Sequence, residues 1–482
     1  GIDIDIHEIR KFKQDEKVKA LLREGKAIGC FYVESPGMRM LLAKLRADDY
    51  LRLVAASSII RPGVSQSGMM REYINRFRNE KLREQARAKL PQLYDILAET
   101  YGVMVYQEDV IKVAHQFAGL NLTEADYLRR GMSWKFKQRN EFGLVRDKFF
   151  ANCKESGYDI NLVTEIWTQI ESFANFAFAK GHSASYAVES YQALYLKAYY
   201  PLEYMVATLN NGGGFYRTEL YVHEASMHGA VIHAPCVNNS NNESVIKGKA
   251  IYLGLGLIAE LSEHTQALIL QERNAHGDFL GLEDFVNRVP VSIEQVRLLI
   301  RVGAFNFTQR DKKELLWQAH ALIHPIKNND SNNQLFKQEH KKFKLPNLVG
   351  SAIDDAFDEI ELLGFSLSSP FRLLRDKLPS TLKAKELKNS INQEVSIVGY
   401  LVNTKRTQTH KGERMCFGTF IDTDGHWIDT VHFPDVAREF PFIGGGCYHI
   451  KGKVTVEYDF LTIEVSSLKR LAVIDREEMK EQ

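Results

Sequence analysis

The spacing of apolar residues changes period once along this 482-residue chain, and that change limits what it can fold into. Up to about residue 230 the spacing is helical. Val110, Val113, Ala114 and Phe117 fall at i, i+3, i+4 and i+7. Ile166, Ile170, Phe173 and Ala177, and then Val188, Tyr191, Tyr195 and Ala198, follow the same rule more loosely. Pro201 predicts the end of the last of these helices, and Thr123 with Asp126 three residues on reads as an N-cap. From about residue 390 the period is two. Val395, Ile397 and Leu401 alternate with polar positions, and Tyr448, Ile450, Val454 and Val456 alternate with His449, Lys451, Lys453 and Thr455. Phe460, Leu461, Ile463 and Val465 form a compact apolar strand. Turn residues fall at His410-Lys411-Gly412, Thr423-Asp424-Gly425, Gly444 to Gly446 and Glu457-Tyr458-Asp459. Five short strands within about 80 residues predict a small all-β barrel of the OB type. The fold class is therefore multi-domain, mainly α-helical first and all-β last.

Between the two regimes lie breaks. Asn210 to Gly214 is a flexible stretch, and residues 236–250 read as a loop. A short helical region runs from Ile251 to His320, and residues 325–350, with the run Asn328 to Asn333, read as an exposed linker. No run of 18 apolar residues predicts a membrane span. Cys30, Cys153, Cys236, Cys416 and Cys447 are scattered, with no zinc spacing, and are expected to be free thiols in a reducing cytoplasm. The 62 Lys and Arg balance 61 Asp and Glu, but the distribution is uneven. Basic residues cluster from Arg52 to Lys89 and from Arg129 to Lys148, either as a phosphate-binding surface or as a solvated helix face. The chain begins with Gly and not Met, which suggests a boundary within a longer protein.

Several segments carry a family resemblance. They are Ile28 to Ser35 with Gly37-Met38-Arg39; Ile60-Arg61-Pro62-Gly63 with Gln66 to Met69; Thr100 to Glu108; Glu124 to Met132; and Phe178 to Ala187. In this order they resemble the fingers region of the bacterial DNA polymerase III alpha family. Leu253 to Ile258 and Ile300 to Phe305 resemble that family's helix-hairpin-helix region, Leu363 to Ser368 its connector, and Lys405 to Pro434 its OB domain. The resemblance implies fingers over 1–235, a helix-hairpin-helix region over 236–325, a linker and connector over 326–385 and an OB domain over 386–475.

It also implies roles. The family transfers nucleotides with magnesium held by palm aspartates. Those are expected upstream of Gly1, so no catalytic or metal-binding residue is expected in this chain, and the chain alone is expected to be inactive. Asp3 and Asp5 form an Asp-x-Asp pair, which we read as outside the metal site. Fingers grip the incoming dNTP, because a guanidinium fork matches a phosphate. Arg129 and Arg130 are the first candidates, then Arg61, Lys180 and His182, with Lys135 also within the cluster. The segment departs from the family at Ser133 and Trp134. Lys405, Arg406, Lys411 and Arg414, with Phe417, Phe420 and Trp427, are candidates for guiding single-stranded template. The hairpin Ala259-Glu260-Leu261-Ser262 lacks the two glycines that let backbone amides approach a phosphate, and is expected to be structural. Gln334, Leu335 and Phe336 resemble a peptide that docks on the beta sliding clamp, with Asn332 in place of the usual Gln. Partners implied are primer-template DNA, dNTP, the clamp and other replisome subunits. Two alternatives remain: a non-catalytic DNA-binding and clamp-tethering protein, and an accessory, error-prone alpha homologue.

Overall fold

A computed structural model describes residues 3–60, 68–131, 140–172, 179–323, 350–379, 381–409 and 411–475. They form two units. The first comprises 1–199 with 409–413 and 456–461; the second comprises 200–408, 414–455 and 462–482.

In the first unit, helix Tyr50–Ile59 is buried along Leu53 to Ile59. Asp49 caps it by accepting from the amide of Arg52 at 2.9 Å. Helix Lys180–Tyr199 packs on it. Small residues allow close approach, and the hydroxyls of Ser58 and Ser183 meet at 2.8 Å in the core. The Lys197 ammonium is buried and donates to the carbonyl of Ile28 at 2.6 Å. Val110, Val113, Ala114 and Phe117 are buried as their spacing predicts. The ladder widens there, with an α-helix at Gln107–Lys112 and a π-helical turn at Val113–Phe117. Thr123 is not the cap of the next helix, which runs Leu122–Gly131. The reciprocal pair is Asn121 and Glu124, each side chain accepting from the other's amide at 2.9 and 3.0 Å. The alternative acceptor sat two residues upstream of the one chosen from sequence.

Helix Lys180–Tyr199 stops before Pro201, as the sequence implied, and the second unit opens with a new helix, Pro201–Asn210, with Pro201 in its first turn. Residues 236–250 are not all loop. β1 (Val231–His233), β2 (Val245–Lys247) and β3 (Ala250–Tyr252) make a sheet of order β1-β3-β2. Helices Glu263–His276, Leu282–Arg288, Ile293–Val302 and Lys312–Ile323 follow. Their core holds Ile269, Leu299, Leu315 and an aromatic chain, Phe279 to Phe285 to Phe305, with centroids 5.0 and 5.1 Å apart. The expected linker is not all linker either. Helix Ala352–Leu363 places Leu362 in that same core and pairs Asp358 with Arg301 at 2.8 Å.

The C-terminal strands close a barrel as expected. β4 (Glu394–Gln408), β5 (Arg414–Ile421), β6 (Trp427–His432), β7 (Cys447–Glu457) and β8 (Phe460–Arg470) take the order β4-β5-β6-β8-β7. β7 returns to β4, and β6 runs parallel to β8 through Thr430↔Ile463. That order is an OB-type barrel. Tyr448, Ile450 and Val454 face inward, while Val456 does not and is exposed. Gly452 fills the next inward position because a Cβ there would collide with the carbonyl oxygen of Glu464.

Candidate nucleotide and nucleic-acid interface

The segment Thr100 to Glu108 is the hub of the first unit. Its end is pinned by Asp109, whose buried carboxylate accepts from the amides of Val105 and Tyr106 at 2.9 Å each. Burial pushes that carboxyl group up from its ordinary range. Gln107 and Glu108 then point to two different motifs. Gln107 Oε1 accepts from Arg129 at 3.3 Å. Glu108 accepts from the backbone amide of Lys180 at 3.0 Å and so fixes the start of helix Lys180–Tyr199. The Lys180 ammonium lies between Glu99, at 2.6 Å, and the ring of Tyr106, 5.4 Å away. Arg129 and Lys180, 51 positions apart by subtraction of their numbers, are thus held by one short segment.

Asp126 orients both arginines of helix Leu122–Gly131. It pairs with Arg129 at 2.9 Å and with Arg130 Nε at 2.7 Å. Arg130 has 63% of its side chain exposed, and its two Nη nitrogens carry no ion pair among the described residues. Those donors are the ones free to meet a phosphate. His182 stacks obliquely on Tyr186 at 4.2 Å, and Tyr186 meets Tyr32 at 4.8 Å and Phe31 at 5.3 Å. Tyr32 holds φ 69°, a left-handed conformation that a non-glycine residue adopts at a cost, and this sets the ring against Tyr186. Arg61 and Lys135 lie outside the described residues, as do Gln334, Leu335 and Phe336. Gln107, Glu108, Glu99, Tyr186 and Tyr32 were not singled out from sequence. All but Glu99 sit inside the motifs that carry the resemblance, so position was available and role was not.

Much of the expected basic surface is already neutralised. Arg76 reaches Glu72 at 2.8 Å and the carbonyls of Tyr101 and Gly102. Lys89 pairs with Glu165 at 3.1 Å and Lys148 with Glu124 at 2.7 Å. Arg71 and Lys81 are exposed without an ion pair among the described residues.

In the hairpin of the second unit the amides of Ala259, Leu261 and Ser262 are bonded within the protein. Ala259 N–H donates to Leu362 O at 2.7 Å and Ser262 N–H to Gln295 Oε1 at 2.8 Å, while Gln295 Nε2 donates back to Glu260 O at 3.1 Å. Glu260 sits at φ 64° in the left-handed region that glycine favours. Ser262 caps helix Glu263–His276. On the barrel, Lys405, Arg406 and Arg414 come to one exposed hairpin, and Lys411 to its turn, but they do not share a face. Register pairs Lys405 with Phe417, Arg406 with Cys416 and Gln408 with Arg414. Arg406 and Arg414 therefore lie on one face and Lys405 with the exposed Phe417 on the other. Phe420 is core, and Trp427 is half-buried beside Tyr216 at 6.1 Å. All five thiols are free, and burial pushes those of Cys153 and Cys447 up to about 11 and about 12.

Asp3 and Asp5 are exposed, Asp5 accepts from the amide of His7 at 2.9 Å, and no three His, Cys, Asp or Glu side chains converge among the described residues. No helix among them is long and apolar enough to cross a membrane.

A helical domain that gathers arginine and lysine around one segment, a helix-hairpin-helix module and an OB-type barrel in series define a modular architecture of the nucleic-acid-handling class. Residues 1–157 match the family described as the bacterial DNA polymerase III alpha subunit finger domain, and residues 229–315 match the helix-hairpin-helix motif. The chain belongs to the bacterial DNA polymerase III alpha family. It is 32% identical over 448 residues to the DNA polymerase III subunit alpha of Aquifex aeolicus, covering 91% of this chain and 37% of that protein. It is 31% identical to the subunit alpha of Staphylococcus epidermidis, covering 91% and 41%, and 29% identical to that of Borreliella burgdorferi, covering 94% and 41%. The chain spans about two fifths of the length of these relatives.

Proposed function

We propose that this chain supplies the nucleotide-gripping and DNA-guiding parts of a DNA-directed DNA polymerase active in replication. The observation that carries the reading is the meeting of Arg129, Lys180 and Glu108 on one segment, within a chain related along nine-tenths of its length to proteins of that name. Arg130 presents its Nη donors to the triphosphate, and Arg129 and Lys180 reinforce the local positive field. Arg61 and Lys135 belong to the same nucleotide-contacting set. Phe31, Tyr186 and His182 form an aromatic wall beside it. A divalent metal ion, when bound, would supply neutralisation of charge on the triphosphate, and no carboxylate of this chain is assigned to hold it. Lys405, Arg406, Lys411 and Arg414 guide single-stranded template along the barrel, and Gln334, Leu335 and Phe336 tether the enzyme to the sliding clamp.

The test is binding of fluorescent primer-template and of dNTP to the purified chain across a salt series. We expect binding that weakens with salt and no primer extension by the chain alone. Salt-independent binding, or none at low ionic strength, would remove the phosphate-gripping role; extension would remove the assignment of the metal carboxylates elsewhere.

A further inference from the structure

We propose that a cavity in the second unit binds a nucleoside phosphate, independently of the arginines of the first unit. The cavity measures about 590 Å³, a size that holds one small ligand and not a strand. Its walls are the start of helix Thr218–Met227, the connector Phe365 to Phe371, the outer part of β4, and the turns at 421–425 and 442–445. None of these carries a role in the reading above except Arg406.

The charges on the wall are unequal in their freedom. Asp422 is satisfied by three amides, those of Ala384, Asp424 and His426, at 2.8, 2.9 and 2.8 Å. Asp424 is paired with Lys383 at 2.8 Å. Glu219 accepts from the hydroxyl of Tyr400 at 3.1 Å; burial pushes its carboxyl group up, opposed by that hydrogen bond and by the charge of Arg217. Arg217 and Arg406, by contrast, are exposed and have no ion pair among the described residues. Arg129, Arg288 and Arg301, by comparison, hold carboxylates. Two exposed guanidiniums without an ion pair among the described residues, Arg217 lying in the field of Glu219, line one cavity, and phosphate is the anion whose geometry matches the fork. The apolar part of the wall is Leu220, Leu401 and the half-buried ring of Phe442, which is flanked by His432 at 4.7 Å. A planar base can lie there while its phosphates reach the arginines.

The test is calorimetric titration of ADP into the full chain, with photo-crosslinking by 8-azido-ADP to locate the site. We expect saturable binding, weakened at least about tenfold in the double variant Arg217→Gln/Arg406→Gln, and a crosslink at the cavity that persists in Arg129→Ala/Arg130→Ala whatever that variant does to the total heat. Crosslinks should map to Tyr400 to Arg406 or to Phe442. Phe442→Leu, which keeps both cations, should weaken ADP and leave inorganic phosphate unaffected; this variant decides the matter if the double variant fails to fold. Absent ADP binding, binding that survives the loss of both arginines, or binding lost only with Arg129 and Arg130 would each overturn the proposal. The last outcome would leave the first-unit nucleotide site standing.

Discussion

Arg129 and Arg130 look equivalent in the sequence and are not equivalent in the structure. Arg129 spends its donors on Asp126 and Gln107 and is only partly exposed, whereas Arg130 keeps its Nη groups. Arg130→Ala should therefore weaken triphosphate binding by roughly tenfold, the loss of one charge-assisted hydrogen bond pair, with the urea midpoint unchanged. Arg129→Ala should weaken binding and also lower the midpoint, because the bonds of Arg129 to Asp126 and Gln107 are lost. Titration of labelled dNTP beside urea unfolding separates the two; a Arg130→Ala protein with full affinity would take that residue off the phosphates. Glu260 offers the opposite kind of test. A left-handed non-glycine residue costs about 1–2 kcal/mol, and glycine returns part of that gain to the unfolded chain. Glu260→Gly should stabilise the second unit by about 0.5 kcal/mol. It should leave DNA affinity within about twofold, because the amides of Ala259 and Ser262 are already bonded within the protein. A large gain in DNA affinity would mean that only the glutamate charge kept the phosphate away.

At the scale of elements, the change of period was enough to place the barrel, since alternation along β7 sets Tyr448, Ile450 and Val454 inward with few competing readings. The helix Ala352–Leu363 was missed for a physical reason. Its apolar residues are interleaved with Asp354, Asp355, Asp358, Glu359 and Glu361, and it follows a polar stretch. Its boundary signals were nonetheless legible, with Ser351 as N-cap and Gly364 at φ 85° just past the end. The site was legible as a set of motifs, and what could not be read was which motif touches which, because Gln107 and Glu108 act across sequence distance. The barrel supplies two tests of its packing. Gly452→Ala should cost about 1–3 kcal/mol by overpacking against β8, read as a lowered thermal midpoint. His432 is buried on β6, bonded to Thr430 at 2.9 Å, and burial pushes its pKa down to about 4. The unfolded chain takes up a proton near pH 6.5 that the folded barrel refuses until about 4. Stability is thus fully present above about pH 6.5 and falls through that window, by at most roughly 3 kcal/mol. The difference in urea midpoint between wild type and His432→Leu should widen in favour of the variant as pH falls from about 6.5 to about 4; parallel curves would show that His432 does not titrate on unfolding.

Across the whole molecule, the near-zero net charge and the two basic clusters make opposite forecasts for DNA binding, and the ion pairs decide between them. Arg76, Lys89, Arg129 and Lys148 already hold carboxylates, so most of the apparent surplus is internal. A cation that leaves a carboxylate to meet a phosphate releases little net free energy, because the ion pair it breaks must be resolvated. Among the described residues, cations without an ion pair include Arg71 and Lys81 in the first unit and Lys405, Arg406 and Arg414 on the barrel hairpin. Each phosphate neutralised contributes about 0.9 to the slope of log affinity against log salt on duplex DNA and about 0.7 on single strands. The duplex slope should therefore be shallower than every lysine and arginine of the two clusters together would give. Because Arg406 and Arg414 share one face of the hairpin and Lys405 the other, Arg406→Ala/Arg414→Ala should flatten the single-strand slope by about 1.4. Lys405→Ala should change it by no more than half that. Fluorescence anisotropy of a labelled oligonucleotide over a salt series measures all three. Equal effects from both faces would mean that the strand wraps the hairpin; no effect from either would move template guidance off this hairpin altogether.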